Sequence, residues 1–266
     1  MPGKLGVRGV LVDLDGVLYD ADRLIAGAVD TVRWLQVNSI PHLFVTNTTS
    51  KSPAALTEKL VSFGITVREA KILTPAVAAA EWLRNNAKGE IALFIRPPTH
   101  MNFSGLPCLP EDAERGAAYV VVGDLGDLWD YQTLNRAFRL LHHNPEAKLM
   151  ALGMTRYWLA PSGASLDVAP FVAALEHATG RKAQVFGKPA AAFFRMAIKR
   201  LGLPTGQVLM IGDDIQSDVG GAQRAGLKGA LVKTGKFRPA DLTSKIRPHA
   251  VFDSVADLPR WWIRSA

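Results

Sequence analysis

Short apolar runs alternate with amphipathic stretches along most of this chain. A short apolar run rich in β-branched residues predicts a buried strand, and apolar residues that recur every three or four positions predict a helix. The predicted strands cover residues 10–13, 42–46, 91–95, 119–122, 149–152, 184–186, 208–211 and 230–232. The predicted helices cover residues 28–35, 53–63, 75–86, 129–141, 169–178, 189–201 and 217–225. Strands that alternate with helices in this way are typical of an α/β protein, with a parallel sheet covered by helices.

The order of these elements predicts an α/β core that is interrupted by an inserted module. Residues 78–183 contain a second series of strands and helices, and the first pattern resumes at residue 184. No Gly/Ser-rich linker or internal repeat separates the two series. We therefore predict a core formed by residues 1–77 and 184–266 and an α/β module formed by residues 78–183. Two sequential domains would produce a similar order of elements and remain an alternative.

The composition is that of an ordinary globular protein. With 266 residues, of which 48% are hydrophobic and 21% charged, the chain suffices for one or two domains and is unlike a disordered segment. A single cysteine, Cys108, excludes an internal disulfide framework and a multi-cysteine metal site. The longest apolar run near the N-terminus is too short for a secretory segment or a membrane span. We expect a cytoplasmic protein with no membrane partner.

The positive charge of the chain is concentrated in its last third. Residues 181–266 contain 15 basic and 6 acidic side chains, a net charge of +9, whereas the whole chain carries +7. These basic residues are scattered rather than clustered with aromatic residues, as a nucleic-acid surface would require. We therefore expect no nucleic-acid partner and interpret the charge as a solvated face that favours anionic substrates.

Two carboxylates follow the first predicted strand, in the string Asp13-Leu14-Asp15-Gly16. Open parallel sheets bind their ligands beyond the carboxyl ends of the strands. Carboxylates at this position therefore face either water or a metal ion and its ligand. For this string taken by itself, a solvated turn at Gly16 is the alternative.

Three more carboxylates, Asp213, Asp214 and Asp218, follow the predicted strand 208–211 within six residues. Anions so close together repel one another unless a cation or hydrogen-bond donors offset their charge. A hard divalent cation with oxygen ligands is the simplest explanation for this string. A solvated surface explains it poorly.

Two further polar features also follow predicted strands. Asn47 and Thr48 end the second strand, where helix capping and turn formation explain such residues equally well. Lys188, in Gly187-Lys188-Pro189, follows the strand 184–186 and, taken singly, could be an exposed lysine before a helix. Neither feature indicates a function without the others.

Taken in order, the four features resemble the motifs of the haloacid dehalogenase superfamily of phosphoryl-transfer enzymes. The strings 187–189, 218–223 and 232–236 are also similar to the branch of that superfamily with an α/β cap between its second and third motifs. The resemblance extends over residues 7–264. It implies a Rossmann-like parallel-sheet core with an inserted cap.

The resemblance also implies roles for individual residues. Asp13 would attack phosphorus and form an aspartyl-phosphate, and Asp15 would be the general acid and then the general base. Mg²⁺ would lie between Asp13, the backbone carbonyl of Asp15 and Asp213, with Asp214 and Asp218 in support. Most phosphatases of the superfamily have Asp at position 15. Members of this branch with Ser there differ from this chain, which weakens any transfer of their substrates.

Substrate contacts are expected from both parts of the chain. Lys188 would neutralise charge in the transition state. The phosphoryl oxygens would be held by the side chains of Asn47 and Thr48 and by the backbone amides of Gly16 and Val17. In the cap region, Arg156 lies beside two aromatic residues, Tyr157 and Trp158, and is the candidate for recognising the leaving group; the alternative is that the two aromatics are core. A homodimer through the cap is left open.

The sequence favours a Mg²⁺-dependent phosphatase of a small phosphorylated metabolite, with two alternatives. A non-catalytic phosphate-binding scaffold could retain the fold, and a phosphoryl-transfer mutase uses the same pair of aspartates. Other chemistries lack their signatures: Cys108 has no Arg six positions later, and neither Gly187-Lys188 nor Gly235-Lys236 is followed by Ser or Thr. The natural substrate cannot be read from the sequence.

Overall fold

A computed structural model describes residues 4–160 and 163–263, and only the backbone of residues 158–160. Over these residues the chain forms two compact units. The first contains the chain up to Thr46, Pro53–Leu73, and the chain from Lys188 onward; the second contains Asn47–Ser52 and Thr74–Gly187. Among the described residues, no helix is both long enough and apolar enough to cross a membrane.

Fourteen strands and nine α-helices are present in the described part of the chain. The strands are β1 (Gly9–Asp13), β2 (Tyr19–Asp20), β3 (Arg23–Leu24), β4 (His42–Val45), β5 (Ile72–Leu73), β6 (Glu90–Phe94), β7 (Ala117–Val122), β8 (Lys148–Ala151), β9 (Tyr157–Ala160), β10 (Gly163–Leu166), β11 (Gln184–Val185), β12 (Val208–Gly212), β13 (Lys228–Val232) and β14 (Ala250–Phe252). The α-helices are α1 (Ala28–Val37), α2 (Pro53–Ser62), α3 (Pro75–Asn86), α4 (Pro97–His100), α5 (Tyr131–His142), α6 (Val168–Thr179), α7 (Ala191–Leu201), α8 (Gly221–Arg224) and α9 (Leu258–Ile263).

The first unit is built on a six-stranded parallel sheet. Its strand order is β14-β13-β12-β1-β4-β5, so the chain runs outward from β1 to one side and from β12 to the other. The order therefore reverses between β1 and β12, and open α/β sheets form their ligand-binding crevice at such a point. Every residue of β1 and β12 is buried, as expected for central strands covered on both faces.

The second unit contains a smaller parallel sheet of its own. Its strand order is β11-β8-β7-β6, and β9 pairs with β10 in a separate, two-stranded antiparallel sheet. Helices α5 and α6 pack on this sheet, in a core that contains Val120 and Leu149 of the sheet and Val172 of α6. These observations confirm the predicted fold class, an α/β protein with parallel sheets.

The borders between the two units differ from the predicted ones at three places. Residues 184–187 belong to the second unit because β11 pairs with β8. The second unit also begins before residue 78, because α3 starts at Pro75 with Thr74 as its N-cap. The loop Asn47–Ser52, predicted as core, packs with the second unit, where Thr49 Oγ1 accepts a hydrogen bond from the amide of Asp124.

The predicted helix over 217–225 forms in two parts. A π-helical turn covers Ile215–Gly220, and α8 follows at Gly221. Two adjacent glycines and the capping of the turn by Asp214 favour this wider turn over a regular helix. The strands that sequence analysis omitted are mostly two to four residues long, too short to show a period.

Candidate active site

Three aspartates meet at the carboxyl edge of the first unit's sheet. Asp13 is the last residue of β1 and Asp213 follows β12, so the two lie on neighbouring strands on either side of the reversal in strand order. Asp218 joins them from the π-helical turn. One carboxylate oxygen from each lies within 4.8 Å of the others. All three side chains are buried, with residue exposures of 7%, 2% and 0%.

Lys188 provides the positive charge inside this carboxylate cluster of Asp13, Asp213 and Asp218. Its Nζ lies 2.8 Å from Asp13 Oδ2 and 2.7 Å from Asp218 Oδ1, and the residue is only 4% exposed. Three carboxylates and one ammonium leave a formal charge of −2 in a buried site. Buried charge that is not fully paired is strongly unfavourable, so the site favours protonation or a bound cation.

The pKa shifts in the carboxylate cluster follow from its burial. Burial raises the pKa of Asp13, although Lys188 opposes the shift. Burial and the charge of Asp218 raise the pKa of Asp213 to about 6. Burial also raises the pKa of Asp218 to about 7, against the effect of Lys188. Burial alone would lower the pKa of Lys188, but Asp13 and Asp218 outweigh it and the net shift is upward, so this side chain stays charged.

In the turn after β1, Asp15 is exposed, and the two backbone amides that follow it form hydrogen bonds within the turn. The N–H of Gly16 donates to Tyr19 O at 2.7 Å, and the N–H of Val17 donates to Leu14 O at 3.3 Å. Both amides were predicted to bind phosphoryl oxygens. In this structure both amides are paired within the turn, and the role given to Gly16 and Val17 stays a prediction.

Asp214, which sequence analysis expected to support the metal site together with Asp218, lies outside the carboxylate cluster. Its Oδ1 accepts hydrogen bonds from the amides of Gln216 and Ser217, both at 2.9 Å, and so caps the π-helical turn. The amide of Asp214 donates to Asp218 Oδ2 at 3.1 Å. Asp214 therefore orients Asp218 through the backbone, and Asp218 is the residue of this pair that reaches the cluster.

A loop after β13 forms a further part of the site that sequence analysis did not assign. The amide of Lys236 donates to Asp213 Oδ2 at 2.7 Å, and Thr234 Oγ1 donates to the carbonyl of Gly16. A Cβ at Gly16 or at Gly235 would overlap the Asp213 carboxylate, and both glycines have positive φ. These contacts hold the Asp213 side chain in one position. The string 232–236 was noted only for its family resemblance.

The remaining predicted site residues belong to the second unit. Asn47 and Thr48 are half-buried, and Thr48 Oγ1 lies 3.4 Å from Ser50 Oγ. Arg156 is exposed and Tyr157 is 54% exposed at the start of β9, so Tyr157 does not pack in the core of its unit. The side chain of Trp158 lies outside the described residues. The roles given to Asn47, Thr48 and Arg156 therefore stay predictions.

Comparisons with known proteins relate most of the chain to one family. A model described as haloacid dehalogenase-like hydrolase matches residues 10–104, and a HAD-hydrolase-like model matches residues 185–258. The phospholysine phosphohistidine inorganic pyrophosphate phosphatase of Homo sapiens is 40% identical over 240 residues, which cover 89% of this chain and 86% of that protein. The haloacid dehalogenase-like hydrolase domain-containing protein 2 of Bos taurus is 38% identical over 260 residues, covering 94% and 97%.

Solved structures show the same likeness. The p-nitrophenyl phosphatase from Archaeoglobus fulgidus matches with a TM-score of 0.87 and 28% identity, covering 97% of this chain and 99% of that one. The 4-nitrophenylphosphatase from Thermotoga maritima matches with a TM-score of 0.86 and 26% identity, covering 96% and 97%. The family resemblance seen in the sequence is confirmed.

The repulsion within the carboxylate cluster predicts that Asp213→Asn stabilises the metal-free protein. The pKa of Asp213 is raised to about 6 on folding from the ordinary 3.8, so the wild type loses stability as pH rises between these values. Removing the charge should raise the free energy of unfolding by about 1–3 kcal/mol at pH 7.5 and by less at pH 4.5. Urea unfolding in EDTA at both pH values measures this difference.

The control is Asp30→Asn, which removes a carboxylate whose side chain is 84% exposed. It should show no such pH-dependent difference. A variant at position 213 that is less stable than the wild type at pH 7.5 would contradict the predicted repulsion.

Proposed function

The chain belongs to the haloacid dehalogenase-like hydrolases, and on this premise we propose that it is a Mg²⁺-dependent phosphatase that forms an aspartyl-phosphate on Asp13. The observation that carries the proposal is the pairing of Asp13 with the buried ammonium of Lys188 at the point where the strand order of the sheet reverses. A carboxylate that only stabilised the fold would gain nothing from burial beside two other carboxylates.

The donor set of the carboxylate cluster fits a small divalent cation. Mg²⁺ is bound by carboxylate, carbonyl and water oxygens, and Asp13, Asp213 and Asp218 offer three buried carboxylates. We propose that Asp13 and Asp213 hold the ion together with the backbone carbonyl of Asp15, and that Asp218 supports the site. Bound there, the ion would screen the anionic nucleophile from an anionic substrate.

The side chains of this chain supply the remaining chemistry. An oxygen of Asp13 attacks phosphorus, and the bond between phosphorus and the leaving oxygen breaks while Asp15 donates its proton to that oxygen. Asp15, now a carboxylate, takes a proton from the water that attacks the phosphoryl group, which releases phosphate and restores Asp13. Lys188 stays charged throughout and stabilises the negative charge beside Asp13.

The proposed substrate class is a small phosphorylated molecule rather than one named compound. The relatives' names refer to nitrophenyl esters, phospholysine, phosphohistidine and pyrophosphate, which differ in the leaving group and share a terminal phosphoryl group. The carboxylate cluster acts on that shared group. The scaffold alternative is disfavoured because Asp13, Asp213 and Lys188 are all present. Lys188 contacts Asp13, and a carboxylate oxygen of Asp213 lies within 4.8 Å of one of Asp13.

We propose that the second unit serves as the cap that selects the leaving group, with Arg156 as one of its recognition residues. Arg156 and Tyr157 are both exposed in that unit, where they are available to a ligand. The proposal is supported by the resemblance to the branch of the family that has an α/β cap between its second and third motifs.

The nucleophile is tested by Asp13→Asn. Because an amide cannot form the aspartyl-phosphate, kcat for p-nitrophenyl phosphate should fall at least about 10³-fold while the fold is retained. The matched control is Asp214→Asn, since asparagine still accepts the capping hydrogen bonds, and it should stay within about threefold of the wild type. Near wild-type activity in Asp13→Asn would refute the covalent mechanism.

Metal removal provides a separate test. EDTA should abolish hydrolysis and Mg²⁺ should restore it, whereas Ca²⁺ should restore it poorly because its larger coordination shell misplaces the nucleophile. Mg²⁺ should also raise the thermal midpoint of the wild type, and it should do so less in Asp213→Asn. Full activity in the chelator would rule out the metal site.

The cap proposal is tested by Arg156→Ala on two substrates. For the best substrate in a panel of phosphorylated metabolites, kcat/KM should fall by about 10- to 100-fold, because a contact to the leaving group is lost. For p-nitrophenyl phosphate it should barely change. Equal effects on both substrates would remove Arg156 from the recognition of the leaving group.

A further inference from the structure

The carboxyl edge of the second unit's sheet carries an arginine and an aspartate on neighbouring strands. Arg96 is the second residue after β6 and Asp124 is the second residue after β7, and these two strands pair in parallel. Arg96 Nε lies 3.5 Å from Asp124 Oδ2. Because open parallel sheets bind ligands beyond the carboxyl ends of their strands, the ion pair lies where this sheet would hold one.

The loop Asn47–Ser52 packs against the same edge of this sheet. The amide of Asp124 donates to Thr49 Oγ1 at 3.3 Å. Beyond the end of β11, a Cβ at Gly187 would lie 3.1 Å from Asn47 Oδ1. This loop carries the two side chains predicted to hold phosphoryl oxygens. The ion pair therefore adjoins the loop that is expected to contact the substrate.

The turn after β7 holds the Arg96 guanidinium in one place. Gly126 has a φ of 55°, and a Cβ at this position would overlap Arg96 Nη2. Glycine is thus the residue that lets the backbone come this close to the guanidinium. Asp124 Oδ1 accepts the N–H of Gly126 at 2.7 Å, so the carboxylate beside the arginine is fixed as well.

Arg96 is the partner of this ion pair that is more available to a ligand. Its side chain is 38% exposed, whereas that of Asp124 is 15% exposed. Arg96 Nε is buried and makes no hydrogen bond within the described part of the chain, so its contact with Asp124 is an ion pair only. A guanidinium has five N–H donors in a planar fork that matches an oxyanion.

The charge of the site favours a carboxylate as the ligand. A cationic ligand would need Asp124, which is the less exposed partner and already accepts the amide of Gly126. A single arginine that is partly offset by Asp124 matches one negative charge better than the nearly two charges of a phosphate group.

We propose that Arg96 is a specificity-determining residue that binds a carboxylate on the leaving group of the substrate. The proposal rests on the proposed phosphatase function and narrows its substrate class to phosphate esters of hydroxy acids. Asp124 positions the guanidinium and does not itself bind the ligand.

The test uses three pairs of phosphate esters, in which a carboxylate in one member is replaced by a hydroxymethyl group in the other. In order of increasing reach, the pairs are phosphoglycolate and 2-hydroxyethyl phosphate, 3-phosphoglycerate and glycerol 3-phosphate, and 4-carboxyphenyl phosphate and 4-(hydroxymethyl)phenyl phosphate. In at least one pair, kcat/KM of the wild type should be about 10-fold or more higher for the carboxylate. In Arg96→Gln this preference should fall below about threefold, through a loss on the carboxylate member alone.

Two further variants separate ligand binding from a purely structural ion pair. Asp124→Asn keeps an acceptor for the amide of Gly126 and removes the charge that offsets Arg96, so the preference for the carboxylate should be at least that of the wild type. Arg139→Gln is the matched control, because Arg139 belongs to the same unit, is 42% exposed and is paired with Glu114. It should leave the preference unchanged.

The results distinguish failure of this inference from failure of the proposed function. If the wild type hydrolyses the esters with no preference in any pair, or if its preference survives in Arg96→Gln, the recognition role is wrong. Equal losses on both members of each pair in Arg96→Gln and in Asp124→Asn would show that the ion pair serves only the fold. If the wild type hydrolyses none of the esters with Mg²⁺ present, the phosphatase proposal itself fails.

Discussion

The site depends on one interaction, the contact of the Lys188 ammonium with two buried carboxylates, Asp13 and Asp218. Without it, the three carboxylates would be buried together, and no other positive side chain among the described residues forms an ion pair with them. Breaking a buried ion pair by removing one partner typically destabilises a protein by about 3–5 kcal/mol. The pair lies at the carboxyl edge of the sheet, where under the proposed function Asp13 and Lys188 would both act on a phosphoryl group.

The fold around this interaction limits where its partners can move. Asp13 is the last residue of β1 and Asp213 directly follows β12, and both strands are buried throughout, so the sheet sets the backbone positions of the two aspartates. Asp218 is set by the π-helical turn that Asp214 caps. The loop after β13 then closes on the Asp213 carboxylate through the amide of Lys236. Packing thus holds the mutually repelling carboxylates close together, which costs stability. Natural proteins commonly trade stability for function in this way.

The parts of the site that follow strands could be predicted from the sequence, and the parts formed by long-range contacts could not. Asp13, Asp213 and Lys188 each follow an apolar run, and parallel strands bring such residues to one edge. The choice between Asp214 and Asp218 required the π-helical turn, which the hydrophobic period does not show. The amide of Lys236 and the carboxylate of Asp213 are 23 residues apart in sequence, and nothing in either local pattern indicates their contact. The pairing of β11 with β8, which places residues 184–187 in the second unit rather than in the first, is likewise a long-range contact.

The central claim is that the phosphoryl group passes through Asp13, and trapping it there tests the claim most directly. Rapid acid quenching during turnover of p-nitrophenyl phosphate, followed by borohydride reduction, converts an acyl phosphate on aspartate to homoserine. Peptide mass spectrometry should find homoserine at position 13 in the wild type, only when substrate is present, and not in Asp13→Asn. Sustained turnover with unmodified Asp13 under the same quench would contradict the account.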